Sequence, residues 1–87
     1  MKVENFTNRN GRAIPNQFII ESNGRTYFQS YNSMIACKNT SGQIEIDERY
    51  WNYSVTTGKY RNMFLGETKK ETEKKIKSGE YILTNLN

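Results

Sequence analysis

The sequence contains no histidine and only one cysteine, Cys37. Without histidine, the chain lacks the usual proton-transfer residue of serine and cysteine hydrolases and the commonest ligand of zinc sites. A single cysteine excludes an internal disulfide, and the apolar run Met34–Cys37 indicates a buried thiol. We therefore expect no cofactor and no metal, and we predict that the protein is not an enzyme.

Proline and alanine are also scarce, with one and two residues against eleven asparagines and eight isoleucines. This bias towards A/T-rich codons indicates the genome of an A/T-rich bacterium, phage or plasmid. No apolar stretch approaches the ~20 residues that cross a bilayer, and the first residues lack the apolar run of a signal peptide. We expect a cytoplasmic protein that does not contact a membrane.

The 87 residues predict a single domain, spanning 1–87, with a small core. Only 34% of the residues are hydrophobic, but eleven aromatic side chains can supply that core. The formal net charge of +4 and the pI near 9.3 favour anionic partners, although a solvated basic face is an equally good interpretation.

The clearest local pattern is a hairpin around Asn23-Gly24. Asparagine followed by glycine between two strand-like runs is the strongest short-range mark of a type I′ turn. In that register Ile20 faces Tyr27 and Ile19 faces Phe28, so both faces are apolar and we expect the hairpin at the centre of a sheet. Residues 3–6, 43–47 and 81–84 are further predicted strands, residues 33–38 form either a strand or a short buried turn, and residues 50–54 are an additional strand candidate.

Two helices are predicted between the last two strands. Tyr60, Met63 and Phe64 lie at helical spacing and predict a first helix. Thr68–Glu71 matches a capping box for a second helix, which Gly79 ends. The fold class is therefore α+β: an antiparallel sheet of about five strands with two short helices before the last strand.

The stretch Arg49–Leu65 holds the only tryptophan, three tyrosines and a Ser/Thr cluster. Thr56–Lys59 has only a superficial likeness to a phosphate-binding loop, because Tyr53 replaces the first glycine of that motif and Tyr60 follows the lysine. The helix N-terminus here still offers free N–H groups for one phosphate. The alternative is a plain helix cap, with a serine or threonine side chain as acceptor.

We predict that Arg49–Leu65 contributes both core and contact surface. Trp51, Met63 and Phe64 are expected in the core. The predicted binding residues are Arg49, Tyr50, Tyr53, Thr57, Lys59 and Arg61.

Three weaker patterns leave alternatives open. Glu45 and Asp47 share a strand face that would suit Mg²⁺, or that is simply polar and exposed. Aromatic rings interleaved with cations would suit single-stranded nucleic acid, or form the core. The lysines of the second helix would suit an acidic partner, or are solvated surface.

The chain resembles a family of small proteins that phages and prophages of low-G/C Gram-positive bacteria encode. The resemblance rests on Asn16–Ile20, Tyr27–Tyr31, Ile35-Ala36, Trp51–Tyr60 and Phe64-Leu65. Its most specific part is the block Tyr-Ser-x-Thr-Thr-x-Lys at residues 53–59. The resemblance implies a viral accessory protein acting in the host cytoplasm. That family is functionally uncharacterised, so it implies no catalytic or binding residues.

These observations favour a non-enzymatic, phage-encoded accessory protein that binds a host protein or a protein–nucleic-acid complex. Inhibition of a host defence nuclease, in the manner of anti-CRISPR proteins, would suit its size and setting. The alternative is a protein that binds DNA or RNA directly during phage replication or gene expression. Whether the chain forms a dimer through its strand edges stays open.

Overall fold

A computed structural model describes residues 1–87, and in it the chain folds into one six-stranded sheet with two helices. The strands are β1 (Lys2–Thr7), β2 (Ala13–Ser22), β3 (Arg25–Ser30), β4 (Ser33–Lys38), β5 (Ile44–Asp47) and β6 (Ile82–Thr84). The helices α1 (Val55–Leu65) and α2 (Lys69–Ser78) lie between β5 and β6.

The strands follow one another in chain order across the sheet. The first five pair antiparallel, whereas β6 pairs parallel with β5. A parallel neighbour needs a long crossover, and the two helices provide it. The predicted α+β class, with two helices before the last strand, is confirmed; the sheet has one strand more than the expected five or so, and it is mixed.

The central hairpin has the predicted register, with Ile20 opposite Tyr27 and Ile19 opposite Phe28. Asn23 and Gly24 adopt φ values of 54° and 80°, as a type I′ turn requires. Both hairpin strands have a neighbour on their outer side, since β1 flanks β2 and β4 flanks β3. The prediction that this hairpin is central is therefore confirmed.

The strand predicted over residues 50–54 is wrong, because the chain turns directly after β5. The Asp47 carboxylate accepts hydrogen bonds from the backbone N–H groups of Arg49 and Tyr50, at 3.1 and 2.8 Å. The Trp51 N–H donates to the Asp47 carbonyl at 3.2 Å. An aspartate that captures the N–H groups just after it holds the chain in a turn and ends the strand.

Both helices have well-formed ends. Ser54 caps α1 by accepting a hydrogen bond from the Thr57 N–H, so that helix begins several residues before Tyr60. The capping box of Thr68 and Glu71 is present in α2, which ends at Gly79 with a φ of 83°. The second helix therefore has the predicted bounds. Neither helix is long and apolar enough to cross a membrane.

The core is an aromatic cluster under α1. The Phe28 ring lies 5.8 Å from the Phe64 ring in a stacked arrangement, and 5.4 Å from the Phe6 ring edge to face. Phe6 is only partly buried, whereas Phe28 and Phe64 are buried together with Ile35, Ala36, Ile46, Tyr60 and Tyr81. Trp51 packs at its edge and is only half-buried.

Met63 is not in the core, contrary to the prediction, and 53% of it is exposed. The inward face of α1 contains Thr57, Tyr60, Arg61 and Phe64. Thr57 and Arg61 are polar, so the apolar residues alone predict a buried face of α1 that is rotated from the one the helix buries.

Candidate anion-binding groove at the start of α1

The six predicted binding residues divide into exposed and buried groups. Arg49 and Lys59 are exposed, Tyr53 is 46% exposed, and the Tyr50 ring packs edge-on at 5.8 Å from it. Tyr50 is half-buried. Thr57 and Arg61 were expected on the surface but are 0% and 1% exposed. That expectation is wrong because both lie on the inward face of α1.

Five of these residues line two different depressions, and Thr57 lines neither. Tyr53, Lys59 and Arg61 line a groove of about 670 Å³ at the start of α1. Arg49 and Tyr50 line a second depression of about 540 Å³, next to the C-terminal residues. The structure therefore does not bring all six residues into one site.

The groove is cationic. It lies between the 52–54 loop, the first turns of α1 and Lys69 at the start of α2. Lys59, Arg61 and Lys69 are its charged residues, and no carboxylate lines it. The field in this groove therefore favours an anion.

Arg61 forms the floor of the groove with a buried guanidinium group. Its Nη1 donates to the Trp51 carbonyl at 2.7 Å and to Asn52 Oδ1 at 3.3 Å, and its Nη2 donates to Asn62 Oδ1 at 3.0 Å. The guanidinium also stacks 5.1 Å from the Trp51 ring centre. All of these hydrogen-bond acceptors are neutral, and the two carboxylates whose charges act on Arg61, Glu67 and Glu73, do not line the groove.

No salt bridge involves Arg61, and its Nε has no hydrogen-bond partner within the chain. Burial lowers the Arg61 pKa, and the charges of Glu67 and Glu73 oppose that shift. The group stays cationic at neutral pH because an arginine begins from so high a pKa. A buried cation without a carboxylate partner is costly, which indicates a role beyond packing.

Sequence reasoning missed the two asparagines that hold Arg61. Asn52 lies in the loop before α1, and Asn62 follows Arg61 in the helix. For the burial of Arg61 itself, the sequence offers one indication. Arg61 lies four residues after Thr57, so the two side chains share one helix face. Their burial depends on where the loop before α1 packs, which the sequence pattern does not show.

Three polar side chains lie fully buried where β2 and β3 meet the first turn of α1: Gln17 on β2, Ser30 on β3 and Thr57 on the helix. Ser30 is the register partner of Gln17, and its hydroxyl lies 2.8 Å from the Thr57 hydroxyl. The Gln17 amide has no hydrogen-bond partner within the chain for either Nε2 or Oε1.

Replacing Gln17 with methionine is expected to raise the free energy of unfolding by about 1 kcal/mol. The amide that Gln17 buries without a partner is unfavourable, and methionine has a similar length without polar hydrogens. Urea unfolding monitored by circular dichroism measures the difference. Gln29→Met is the matched control, because the Gln29 amide donates to the Tyr31 carbonyl. A Gln17→Met protein less stable than wild type would contradict the expectation.

The two acidic residues of β5, Glu45 and Asp47, both interact with other side chains or backbone groups of the protein. The Glu45 carboxylate accepts a hydrogen bond from Asn39 at 3.2 Å and pairs with Arg25 at 3.5 Å. Asp47 accepts four hydrogen bonds and is 1% exposed, so it is not on an exposed polar face. No group of three or more potential metal-ligating residues occurs in the structure.

Comparison with known proteins identifies the family to which the chain belongs. No curated protein and no solved structure matches the chain. One family model matches residues 1–80, from β1 through α2. That match covers the groove and Arg61, and it stops before Tyr81. The chain belongs to the DUF8033 family, a family of unknown function.

Proposed function

We propose that the protein is a non-enzymatic binding protein that docks onto another protein through the outer face of α1. The observation that carries this proposal is an exposed apolar stripe. Val55 is 92% exposed and Met63 53%, and they lie eight residues apart on one side of the helix, with Lys59 between them. Tyr53, which is 46% exposed, extends the stripe into the preceding loop.

A stripe of this composition suits a protein partner. Single exposed apolar residues are ordinary, but several on one side of a helix, interspersed with cations, are typical of interaction surfaces. Tyrosine and methionine are enriched at such surfaces, and a tyrosine often contributes much of the binding energy. Lys59 and Lys69 at the margin would complement acidic groups on the partner.

The resemblance to phage-encoded proteins suggests the setting. On that basis we propose a host protein, or a host protein–nucleic-acid complex, as the partner in the host cytoplasm. Inhibition of a defence nuclease is the purpose that such a small accessory protein would serve.

Site-specific photo-crosslinking tests the proposal. A benzophenone amino acid at position 53 or 63, in cells of the organism that carries the gene, is expected to crosslink one and the same partner. The same amino acid at Lys70, exposed on α2, is the control and should not crosslink that partner. Val55→Glu with Met63→Glu should remove the crosslink at position 53. Equal crosslinking at all three positions, or none at 53 and 63, would refute the proposed surface.

Direct binding of nucleic acid is the second candidate, and the three cations of the groove favour it. Few rings are free to stack on bases, however, because Tyr60 and Tyr81 are buried and Trp51 contacts Arg61. This candidate predicts binding that weakens steeply with salt, with a log–log slope of about −0.7 for each phosphate of a single strand that is contacted. A protein that retains no oligonucleotide at low salt excludes it.

A further inference from the structure

We infer that the groove at the start of α1 is a binding site for a phosphate group. The inference deepens the proposed function by naming a group that the α1 face recognises. It rests on that function only for the identity of the molecule that carries the phosphate.

The first support is the set of free backbone donors at the start of α1. Ser54 accepts from the Thr57 N–H, and the Gly58 N–H donates to the Ser54 carbonyl at 3.0 Å. The N–H groups of Val55 and Thr56 have no acceptor within the chain. Free N–H groups at the positive end of a helix dipole are suited to an oxyanion.

The second support, independent of the helix end, is the buried charge of Arg61. It is 1% exposed, has no carboxylate partner and lies at the floor of the groove. Lys59 and Lys69 add two solvent-exposed cations at the walls, and Lys69 also forms a 3.8 Å ion pair with Glu73, which a phosphate would have to compete with. A phosphate carries about 1.5 to 2 negative charges and three acceptor oxygens, so it matches this set better than a single carboxylate does.

The third support is Gly58 in the first turns of α1. The backbone conformation at this position does not require glycine. Its φ is not positive, and an added Cβ would lie 3.6 Å from Arg61 Nη2, an ordinary contact distance. Alanine would therefore fit, and it would stabilise the helix by about 1 kcal/mol. Because glycine has no side chain, no Cβ at position 58 separates the Arg61 guanidinium from the groove.

Gly58→Ala separates a binding role from a structural one. We expect this protein to melt at a higher temperature than wild type, because of the helix propensity, and yet to bind phosphate about fivefold more weakly. A structural role alone would not produce this combination. The probe is inorganic phosphate, titrated into ¹⁵N-labelled protein at constant low ionic strength. The amide signals of Val55, Thr56 and Gly58 should shift together.

Lys69→Gln should weaken phosphate binding by a similar factor, whereas Lys70→Gln is the matched control. Lys70 has the same charge, lies on the same helix and does not line the groove. Equal losses in the two lysine variants would show unspecific attraction to a basic surface and overturn the site. Unchanged binding by Gly58→Ala, or no shifts with millimolar phosphate, would also overturn it.

Two further ligands show where the phosphate comes from. Tighter binding of phosphoserine than of inorganic phosphate would support a phosphorylated side chain of the partner, and equal binding would support a small phosphate compound. An oligonucleotide that binds when inorganic phosphate does not would overturn the site. The photo-crosslinking result does not depend on phosphate. The protein-docking surface is therefore tested separately and is not refuted if phosphate fails to bind.

Discussion

Replacing Asp47 with alanine is expected to lower the free energy of unfolding by about 3 kcal/mol. Oδ2 of this buried carboxylate holds the turn after β5 through the N–H groups of Arg49 and Tyr50. Oδ1 accepts from the Leu86 N–H at 2.8 Å and from Asn87 Nδ2 at 3.0 Å. Alanine would leave these donors without their acceptor and would release both the turn and the C-terminal residues.

Urea unfolding at pH 7 measures the loss. Glu48→Ala is the matched control, because Glu48 is the next acidic residue along the chain but is exposed. Asn87→Ala gives an intermediate test, since Asn87 links Asp47 to both backbone groups of Met34. We expect that variant to lose less stability than Asp47→Ala. If Glu48→Ala and Asp47→Ala are equally stable, Asp47 does not hold the turn.

The same carboxylate should make stability depend on acidic pH. Burial raises the Asp47 pKa, but the hydrogen bonds from Leu86, Tyr50, Asn87 and Arg49 outweigh burial and leave the pKa below its ordinary value. A carboxyl group with a lowered folded-state pKa stabilises the fold above its unfolded pKa of about 4, and this contribution is lost as the pH falls through the folded pKa.

Asp47→Asn isolates this contribution, because asparagine has nearly the same shape and does not titrate. The difference in unfolding free energy between wild type and Asp47→Asn should be constant from pH 5 to 7. It should then shrink as the pH falls below about 4. A difference that is the same at pH 3 and pH 7 would show that the charge of Asp47 contributes nothing.

Features set by neighbouring residues were predictable from the sequence. The Asn23-Gly24 turn fixes its own register, because both residues tolerate positive φ and the strands on either side follow from it. The capping box of α2 needs only two residues three positions apart. These interactions join residues that are close in the sequence, so tertiary packing did not override them.

Features that depend on distant packing were not predictable. Asp47 and Leu86 meet only because β6 adds in parallel beside β5, after two helices. Arg61 lies inside because the loop before α1 folds over it, and an arginine is otherwise expected on the surface. The groove was partly predictable, since the Ser/Thr cluster and Lys59 indicated a helix N-terminus. The contribution of Lys69, from the next helix, was not.

Glu67 is the second buried carboxylate whose loss should have a large effect, and we expect Glu67→Ala to lower the free energy of unfolding by about 3 kcal/mol. Its side chain is 4% exposed and lies between the two helices. It accepts from the Tyr81 hydroxyl at 2.6 Å, from the Thr72 hydroxyl and from Lys75 Nζ at 2.8 Å. Lys75 can turn towards water, but the two buried hydroxyls would lose this acceptor.

Glu67→Ala and Glu73→Ala form a matched pair for urea unfolding. Glu73 is paired with Lys69 at 3.8 Å, and its side chain is 41% exposed, so its removal should change stability little. If both variants lose the same small amount, the hydrogen bonds of Glu67 do not stabilise the junction of the helices.

The ionisation of Tyr81 at alkaline pH reports on the hydrogen bond between its hydroxyl group and Glu67. Burial, together with the hydrogen bond and charge of Glu67, raises the Tyr81 pKa to about 12. A raised folded-state pKa means that the contribution is complete below the unfolded pKa of about 10 and is lost as the pH rises towards 12. Wild-type protein should therefore lose stability over this interval, and Tyr81→Phe should lack that part of the loss.

Absorbance at 295 nm follows the ionisation of the tyrosine, with Tyr81→Phe identifying its share of the signal. In Glu67→Gln the Tyr81 pKa should fall, because the carboxylate charge that opposes ionisation is gone. It should stay above the ordinary value, since burial of the ring persists. An unchanged Tyr81 titration in Glu67→Gln would mean that burial alone raises the pKa, and that Glu67 does not hold the start of β6 against the helices.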